Sequence, residues 1–158
     1  MAFDANFDIL KEQFSSIEFI LEDNSFEKIR VNSDNIVDLL HLLKNEAEFD
    51  FDMLSSFIAV DIQDNIELIY DLYSTTTNKS VKVSVLIDRN SAKIQSIAEV
   101  FKSAHFDECE IFDLFGVEFL DNKNLKRLFM PKEWLGNPLR KDYIQQDTRL
   151  AWNSEVKS

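Results

Sequence analysis

The sequence is poor in the residues from which self-contained active sites are usually built. Its 158 residues include one cysteine, Cys109, and two histidines, His41 and His105. One cysteine excludes an intramolecular disulfide framework. It also excludes a cysteine-ligated zinc or iron–sulfur site made by this chain alone. Two histidines far apart in the chain make a histidine-rich metal site unexpected. Glycine and proline are equally scarce, two of each, so no Gly-rich phosphate loop can be built. A nucleophile elbow is missing too. No stretch approaches 18 apolar residues, so no membrane-spanning helix is expected. The opening MAFDANFDILKEQF is acidic and lacks a basic n-region, so no signal peptide is expected. Basic residues are the minority: 17 Lys/Arg stand against 29 Asp/Glu, a formal charge of −12. Phosphate binding needs a basic surface, so nucleic acid is not the expected partner. A soluble cytosolic protein is what these absences predict.

What is present is a globular composition, 45% hydrophobic and 29% charged. The length suits one domain. At this size roughly 68–70% of the unfolded surface is buried on folding, enough for a real core. The charge is unevenly spread. Residues 1–110 hold 9 Lys/Arg and 22 Asp/Glu, whereas residues 111–158 hold 8 and 7. Within 123–141 six basic residues are opposed only by Glu133. All four Gly and Pro residues lie between Gly116 and Pro138, in the same region. This asymmetry suggests an interaction segment (117–158) joined to an acidic domain (1–116).

Along the first 116 residues the patterning predicts α, β-hairpin, α, three-strand meander, α, α. Phe7, Leu10 and Phe14 recur at helical spacing over 5–14. IEFILEDNSFEKIRV reads as a hairpin turning at Glu22–Ser25. Ser33 is a candidate N-cap for a helix to about Ala47, with Ile36, Leu39, Leu40 and Leu43 on its apolar face. FIAVDIQDNIELIYDLY reads as two strands meeting at Gln63–Asn65. Val81, Val83, Val85 and Ile87 then alternate as in a half-buried strand. Ser91 is expected to start a helix whose face is Ile94, Ile97, Ala98 and Phe101. Asp107 and Glu110 precede Ile111, Phe112, Leu114 and Phe115, a capping-box-like start. Gly116 then supplies a left-handed end. The predicted class is α+β: a small mixed or antiparallel sheet, hairpin plus meander, with helices packed on it and an extended C-terminal arm.

Beyond Gly116 no period is sustained, yet the segment carries Leu125, Leu128, Phe129, Met130, Trp134, Leu135, Leu139 and Tyr143. A long structureless segment in a compact domain implies a function, and exposed apolar side chains of this kind mark an interface. One reading folds it back over its own sheet. The other sends the part beyond about Pro131 to a partner.

Candidate chemistry is sparse. Glu110 and Asp113 place two carboxylates at i,i+3, a spacing that could share a proton or divide acid and base roles. The ordinary reading is a capping residue and a solvated acid. His105 would follow a helix ending near Ala104, where a cation complements the dipole. Cys109 would sit in the first turn of the last helix, where a thiol can be activated, although a buried inert cysteine is commoner. On chemistry alone the chain reads as an assembly subunit rather than a self-sufficient enzyme.

The stretch E-C-E-I-F-D-L-F-G-V-E-F (108–119), followed by N-L-K-R-L-F-M-P-K-E-W-L-G-N-P-L-R-K-D-Y (124–143), resembles the C-type subunit of the proton-pumping NADH:quinone oxidoreductase, respiratory complex I. The family shows Glu-Arg-Glu, an aromatic-Asp-apolar-aromatic-Gly run, Leu-Arg-Arg, Pro-x-x-Trp and Gly-His-Pro-Leu-Arg-Lys-Asp-Tyr. Seven of the last eight positions match. Cys109 departs from the arginine between the glutamates, Asp121-Asn122-Lys123 from a Gly-His-Pro, and Asn137 from the histidine of the last block.

The resemblance implies a non-catalytic subunit of the peripheral arm, with no catalytic residue, cofactor or metal in this chain. FMN and iron–sulfur clusters would belong to other subunits during electron transfer from NADH to a quinone such as ubiquinone. Its implied partners are the quinone-site subunit of D type and an iron–sulfur subunit, on the cytoplasmic side of a bacterial inner membrane, peripherally attached. The implied partner interface is Glu110, Asp113, Phe115, Gly116, Arg127, Pro131, Trp134, Pro138, Leu139, Arg140, Lys141, Asp142 and Tyr143. In it Trp134, Leu139 and Tyr143 would be apolar anchors, while Arg140 and Lys141 would meet acids or carbonyls of the partner. Two alternatives stay open: a homologous subunit of a membrane-bound hydrogenase or of a complex I with another electron donor, and an independent enzyme using Glu110 and Asp113.

Overall fold

Apolar residues at every second position make β4 (Asn65–Ser74) and β5 (Lys79–Asp88) the centre of the sheet's core. Ile66, Leu68, Tyr70 and Leu72 lie opposite Ile87, Val85, Val83 and Val81 in antiparallel register, and all eight are buried on one face. The computed structural model describes residues 7–14, 16–22 and 25–144. Before these strands come α1 (Phe7–Gln13), the hairpin β1 (Glu18–Glu22) and β2 (Ser25–Arg30), a 3-10 turn (Ser33–Asn35), α2 (Ile36–Asn45) and β3 (Met53–Asp61). After them come β6 (Lys93–Gln95), α3 (Ala104–Phe115) and β7 (Glu118–Leu120).

The sheet order is β1-β2-β5-β4-β3. The meander is antiparallel and the hairpin joins it through one parallel pair, β2 beside β5. The mixed α+β class with hairpin and meander therefore holds. Ile36, Leu39, Leu40 and Leu43 of α2 are fully buried against the sheet core, whereas Asp34, Asp38, His41, Asn45 and Glu48 lie on the solvent side. Residues 5 and 6 of the expected first helix, the hairpin tip at Asp23-Asn24 and the part of the arm beyond Ile144 lie outside the described residues.

Five local expectations are corrected. Ser33 does not cap α2; it opens the 3-10 turn ahead of it, and no side chain caps either element. No helix starts at Ser91. Ile94 belongs to β6, which pairs in parallel with β7. The Asp88 carboxylate takes the N–H groups of Asn90 and Ser91, and Glu108 takes that of Ile97, so this backbone is satisfied without a helix. Its partner strand lies far along the chain, which local periodicity cannot reveal. Of the apolar residues expected to face inward, Ile94, Ile97 and Phe101 are buried and Ala98 is half-buried.

The last helix begins at Ala104, three residues before the expected capping box, and Asp107 lies in its first turn without a capping bond. His105 is therefore at the positive end of a helix, not beyond a negative one. Cys109 sits in the middle of α3, fully buried, with its Sγ 3.6 Å from the Asn124 carbonyl. Gly116 does end α3, at φ +76°, with its N–H on the Phe112 carbonyl.

Candidate functional site

The irregular segment after β7 lies along the domain as a strap, and two carboxylates fasten it. Asp113, near the end of α3, has no exposed surface. Its Oδ2 accepts three consecutive backbone N–H groups, from Leu128 at 3.0 Å, Phe129 at 2.7 Å and Met130 at 3.0 Å. Arg127 donates to Oδ1 at 3.0 Å and, with its other terminal nitrogen, to the Gly136 carbonyl at 3.2 Å. Burial alone would raise the Asp113 pKa, but these donors outweigh it and hold the carboxyl below its usual range. The arginine of Leu-Lys-Arg thus closes one loop of the strap upon another.

Asp61, at the end of β3, is the second fastening. It accepts the N–H of Lys141 at 2.8 Å and that of Gln63 at 2.9 Å, and it faces Arg89 at 3.4 Å. Burial again pushes its pKa up, and again the donors win and lower it. Arg140 grips Asp142 through two parallel bonds of 3.0 Å and donates to the Arg89 carbonyl at 3.1 Å. Arg140 and the Lys141 main chain therefore have acceptors within the chain itself.

Between the two fastenings the strap crosses the C-terminal end of α3. Leu139 N–H bonds the Leu114 carbonyl at 3.0 Å. Asn137 Nδ2 donates to the carbonyls of Phe112 and Asp113, at 3.3 and 3.1 Å. The carbonyls of Asp113 and Leu114 are among those that a helix end leaves short of partners, whereas that of Phe112 also takes the Gly116 N–H. The other departures from the family pattern also find structural uses. Asn122 Nδ2 donates to Glu108 at 2.8 Å, while its Oδ1 takes the N–H of Asn124. Cys109 fills the core where the family has arginine. A Cβ on Gly116 would come to 2.5 Å from Asn137 Oδ1, so a side chain there would push Asn137 off the helix end, and the left-handed backbone itself favours glycine.

The sequence-predicted residues are thus gathered but divided in role. Arg127, Asp113, Gly116 and Arg140 hold the strap down, and Tyr143 packs its ring 3.0 Å from a Cβ position on Gly136. Trp134 is half-buried, and its Nε1 is shielded from solvent with no acceptor among the described residues. Pro138 is half-buried and Pro131 exposed. Apolar side chains on the strap nevertheless face outward: Phe129 is 59% exposed, Leu135 68% and Leu139 53%. Phe129 and Leu135 are not among the interface residues that the sequence singles out; only the apolar content of the segment signals them.

Glu110 and Asp113 do not form an acid–base pair. Both oxygens of Asp113 are engaged by four N–H donors, while Glu110 is exposed and lines a groove between α3 and β3. Asp113 is also not the solvated acid of the ordinary reading. Among the described residues no group of three or more His, Cys, Asp or Glu side chains is placed to hold a metal ion. No helix among them is long and apolar enough to cross a membrane.

Residues 29–149 match the family model described as respiratory-chain NADH dehydrogenase, 30 Kd subunit. The chain belongs to this family. It is 34% identical over 136 residues to the C-type subunit of the NADH-quinone oxidoreductase of Trichlorobacter lovleyi, covering 84% of this chain and 83% of that protein. It is 32% identical over 133 residues to the C/D-type subunit of the NADH-quinone oxidoreductase of Acidiphilium cryptum, covering 78% of this chain but only 22% of that longer protein. The same fold recurs, at TM-score 0.67 and 23% identity over 96% of this chain, in a chain from the structure of an archaeal membrane-bound sulfane sulfur reductase. Membership of the 30 Kd subunit family makes this chain part of an oxidoreductase complex.

Proposed function

We propose that this chain is a non-catalytic member of the peripheral arm of proton-translocating NADH:quinone oxidoreductase, docking through its strap onto the quinone-site subunit. One observation carries the reading. The strap is fixed to its own domain by buried carboxylates, yet it presents Phe129, Leu135 and Leu139 to the outside. A surface ordered in advance loses little conformational entropy on association, so its apolar area converts more fully into affinity. A relative in which the C and D types are one protein supports the D type as the neighbour, because fusion keeps adjacent partners together.

The chain contributes position rather than redox chemistry in this reading. Its single thiol is buried in α3 and could not ligate a cluster by itself. FMN and iron–sulfur clusters would be held by other subunits, an iron–sulfur subunit among the neighbours. The chain would hold the quinone-site subunit in register with them, on the cytoplasmic side of the membrane and attached through the complex.

The test is assembly. Phe129→Asp with Leu135→Asp changes two exposed side chains and leaves both fastenings intact. The expected result is a folded chain that no longer co-purifies with the D-type subunit. Trp134→Ala with Arg140→Ala should weaken assembly as well, by loosening the strap. Normal co-purification of the Phe129/Leu135 variant would overturn the docking reading.

A further inference from the structure

We propose that the groove between β3 and α3 receives an extended, basic and apolar segment of a neighbouring subunit, which adds to the sheet as a sixth strand beside β3. This rests on the reading of the chain as a subunit and adds a second contact, beside that of the strap.

The first observation is the edge itself. β3 is nine residues long, ends the sheet order and, among the described residues, pairs only with β4. Among the same residues no backbone bond engages its other side. Edge strands that must stay unpaired are usually short, or carry lysine or proline, or are covered. Met-Leu-Ser-Ser-Phe-Ile-Ala-Val-Asp has no lysine, arginine or proline, and Met53, Ile58 and Val60 are 43%, 46% and 39% exposed. Only a bulge between Leu54 and Ser56 interrupts it, near its start.

The second observation is the shape of the groove. Its volume is about 460 Å³, and five consecutive residues, Ser55–Ala59, form one wall. Neighbouring residues in a strand point to opposite faces, so five in a row can border one depression only if it runs along the backbone edge. Five extended residues span roughly 16 Å, at about 3.3 Å each. Ile111 and Phe115 of α3 form the facing apolar wall, and Leu139 of the strap contributes to the lining. The groove is thus continuous with the surface assigned to docking.

The third observation is charge, which selects the occupant. The only charged side chains lining the groove, among the described residues, are Asp107 and Glu110. Burial and the neighbouring Glu110 together push the Asp107 carboxyl up, and among the described residues no basic side chain lines the groove beside the pair. A second copy of the chain would bring the same two acids face to face, in a protein already at −12. Arg127 and the Lys141 main chain of the strap are held elsewhere, by Asp113 and Asp61. What fits is a strand from a partner, with apolar side chains for Phe57, Ile111 and Phe115 and Lys or Arg for the acids. Main-chain bonds would give affinity and the side-chain pockets specificity.

Two measurements test this in the native complex. Hydrogen exchange is compared between the isolated chain and the purified complex. The Ser55–Ala59 amides that face the groove should become at least tenfold more protected on assembly. The double reversal Asp107→Lys, Glu110→Lys should lower retention in the complex about tenfold, with Glu110→Lys alone as the milder variant should the double one misfold. Unchanged exchange of those amides, or wild-type assembly by a folded reversal variant, would overturn the groove. A wild-type dimer in solution with β3 protected would overturn the basic partner in favour of a second copy. The Phe129/Leu135 variant keeps the readings apart. If it assembles normally while the reversal fails, the strap reading falls and the groove stands; the opposite pattern removes the groove alone.

Discussion

Replacing Asp113 by asparagine should unlatch the strap without unfolding the domain. The carboxylate takes four N–H donors. Asparagine keeps one acceptor oxygen. If that oxygen serves the three backbone groups, the amide nitrogen faces Arg127, donor against donor. The lost arginine bond alone is worth about 1.5–3 kcal/mol, as for other bonds to charged groups. The remaining three become neutral bonds of roughly half the strength. These terms are not additive, and about 3 kcal/mol of local closure is the expected loss. At about 1.4 kcal/mol per tenfold, the amides of Leu128, Phe129 and Met130 should exchange about two decades faster. Amides of β4 and β5 should keep their rates, because the fastening lies outside the sheet core. The pH dependence has a definite sign. The folded carboxyl is lowered, so its contribution is present above the ordinary carboxylate value of 3.8 and is lost as pH falls from there through the lowered value. Exchange at residues 128–130 within two- to threefold of wild type, measured by mass spectrometry or NMR, would refute the latch.

Three other changes probe the same architecture. Gly116→Ala should cost about 1–2 kcal/mol from its left-handed backbone alone, and it should also displace Asn137; urea melts and exchange of the strap amides would show both. Tyr70→Phe should be neutral or stabilising by about 1 kcal/mol, because the buried Tyr70 hydroxyl has no hydrogen-bond partner among the described residues while its ring stacks on Phe57 at 4.2 Å. A clear loss in a thermal melt would reveal a partner for the hydroxyl. Glu108→Gln should flatten the pH dependence of stability. Burial raises the Glu108 carboxyl despite bonds from Ser96, Ile97 and Asn122, so its folded form holds a proton longer than the unfolded one. Stability should therefore fall in wild type as pH rises above the ordinary value of 4.5, and that decline should disappear in the variant.

Several features are legible in the sequence because their causes are local. Alternation at Val81–Ile87 determines which face of β5 is buried, and the spacing of Ile36, Leu39, Leu40 and Leu43 does the same for α2. Gly116 marks a left-handed helix end for the steric reason that applies anywhere. The Trp, Pro, Arg and Asp residues of 124–143, together with 108–119, are enough to bring out the family. Residues 91–103 show the limit. Their apolar spacing suits a helix, but the carboxylates of Asp88 and Glu108 and a strand more than twenty residues away claim their backbone.

The candidate site divides in the same way. By itself the sequence determined the α+β class, the inward-facing core, the basic apolar segment after Gly116 and the family. It could not distinguish Asp113 from Glu110, two acids three residues apart on one helix. Only the tertiary structure buries the first beneath four donors from residues 127–130 and leaves the second in an open groove beside β3. The physical reason is that a carboxylate's role depends on which N–H groups converge on it, and convergence is set by chain segments that are distant in sequence and meet only when the sheet, α3 and the strap are packed together.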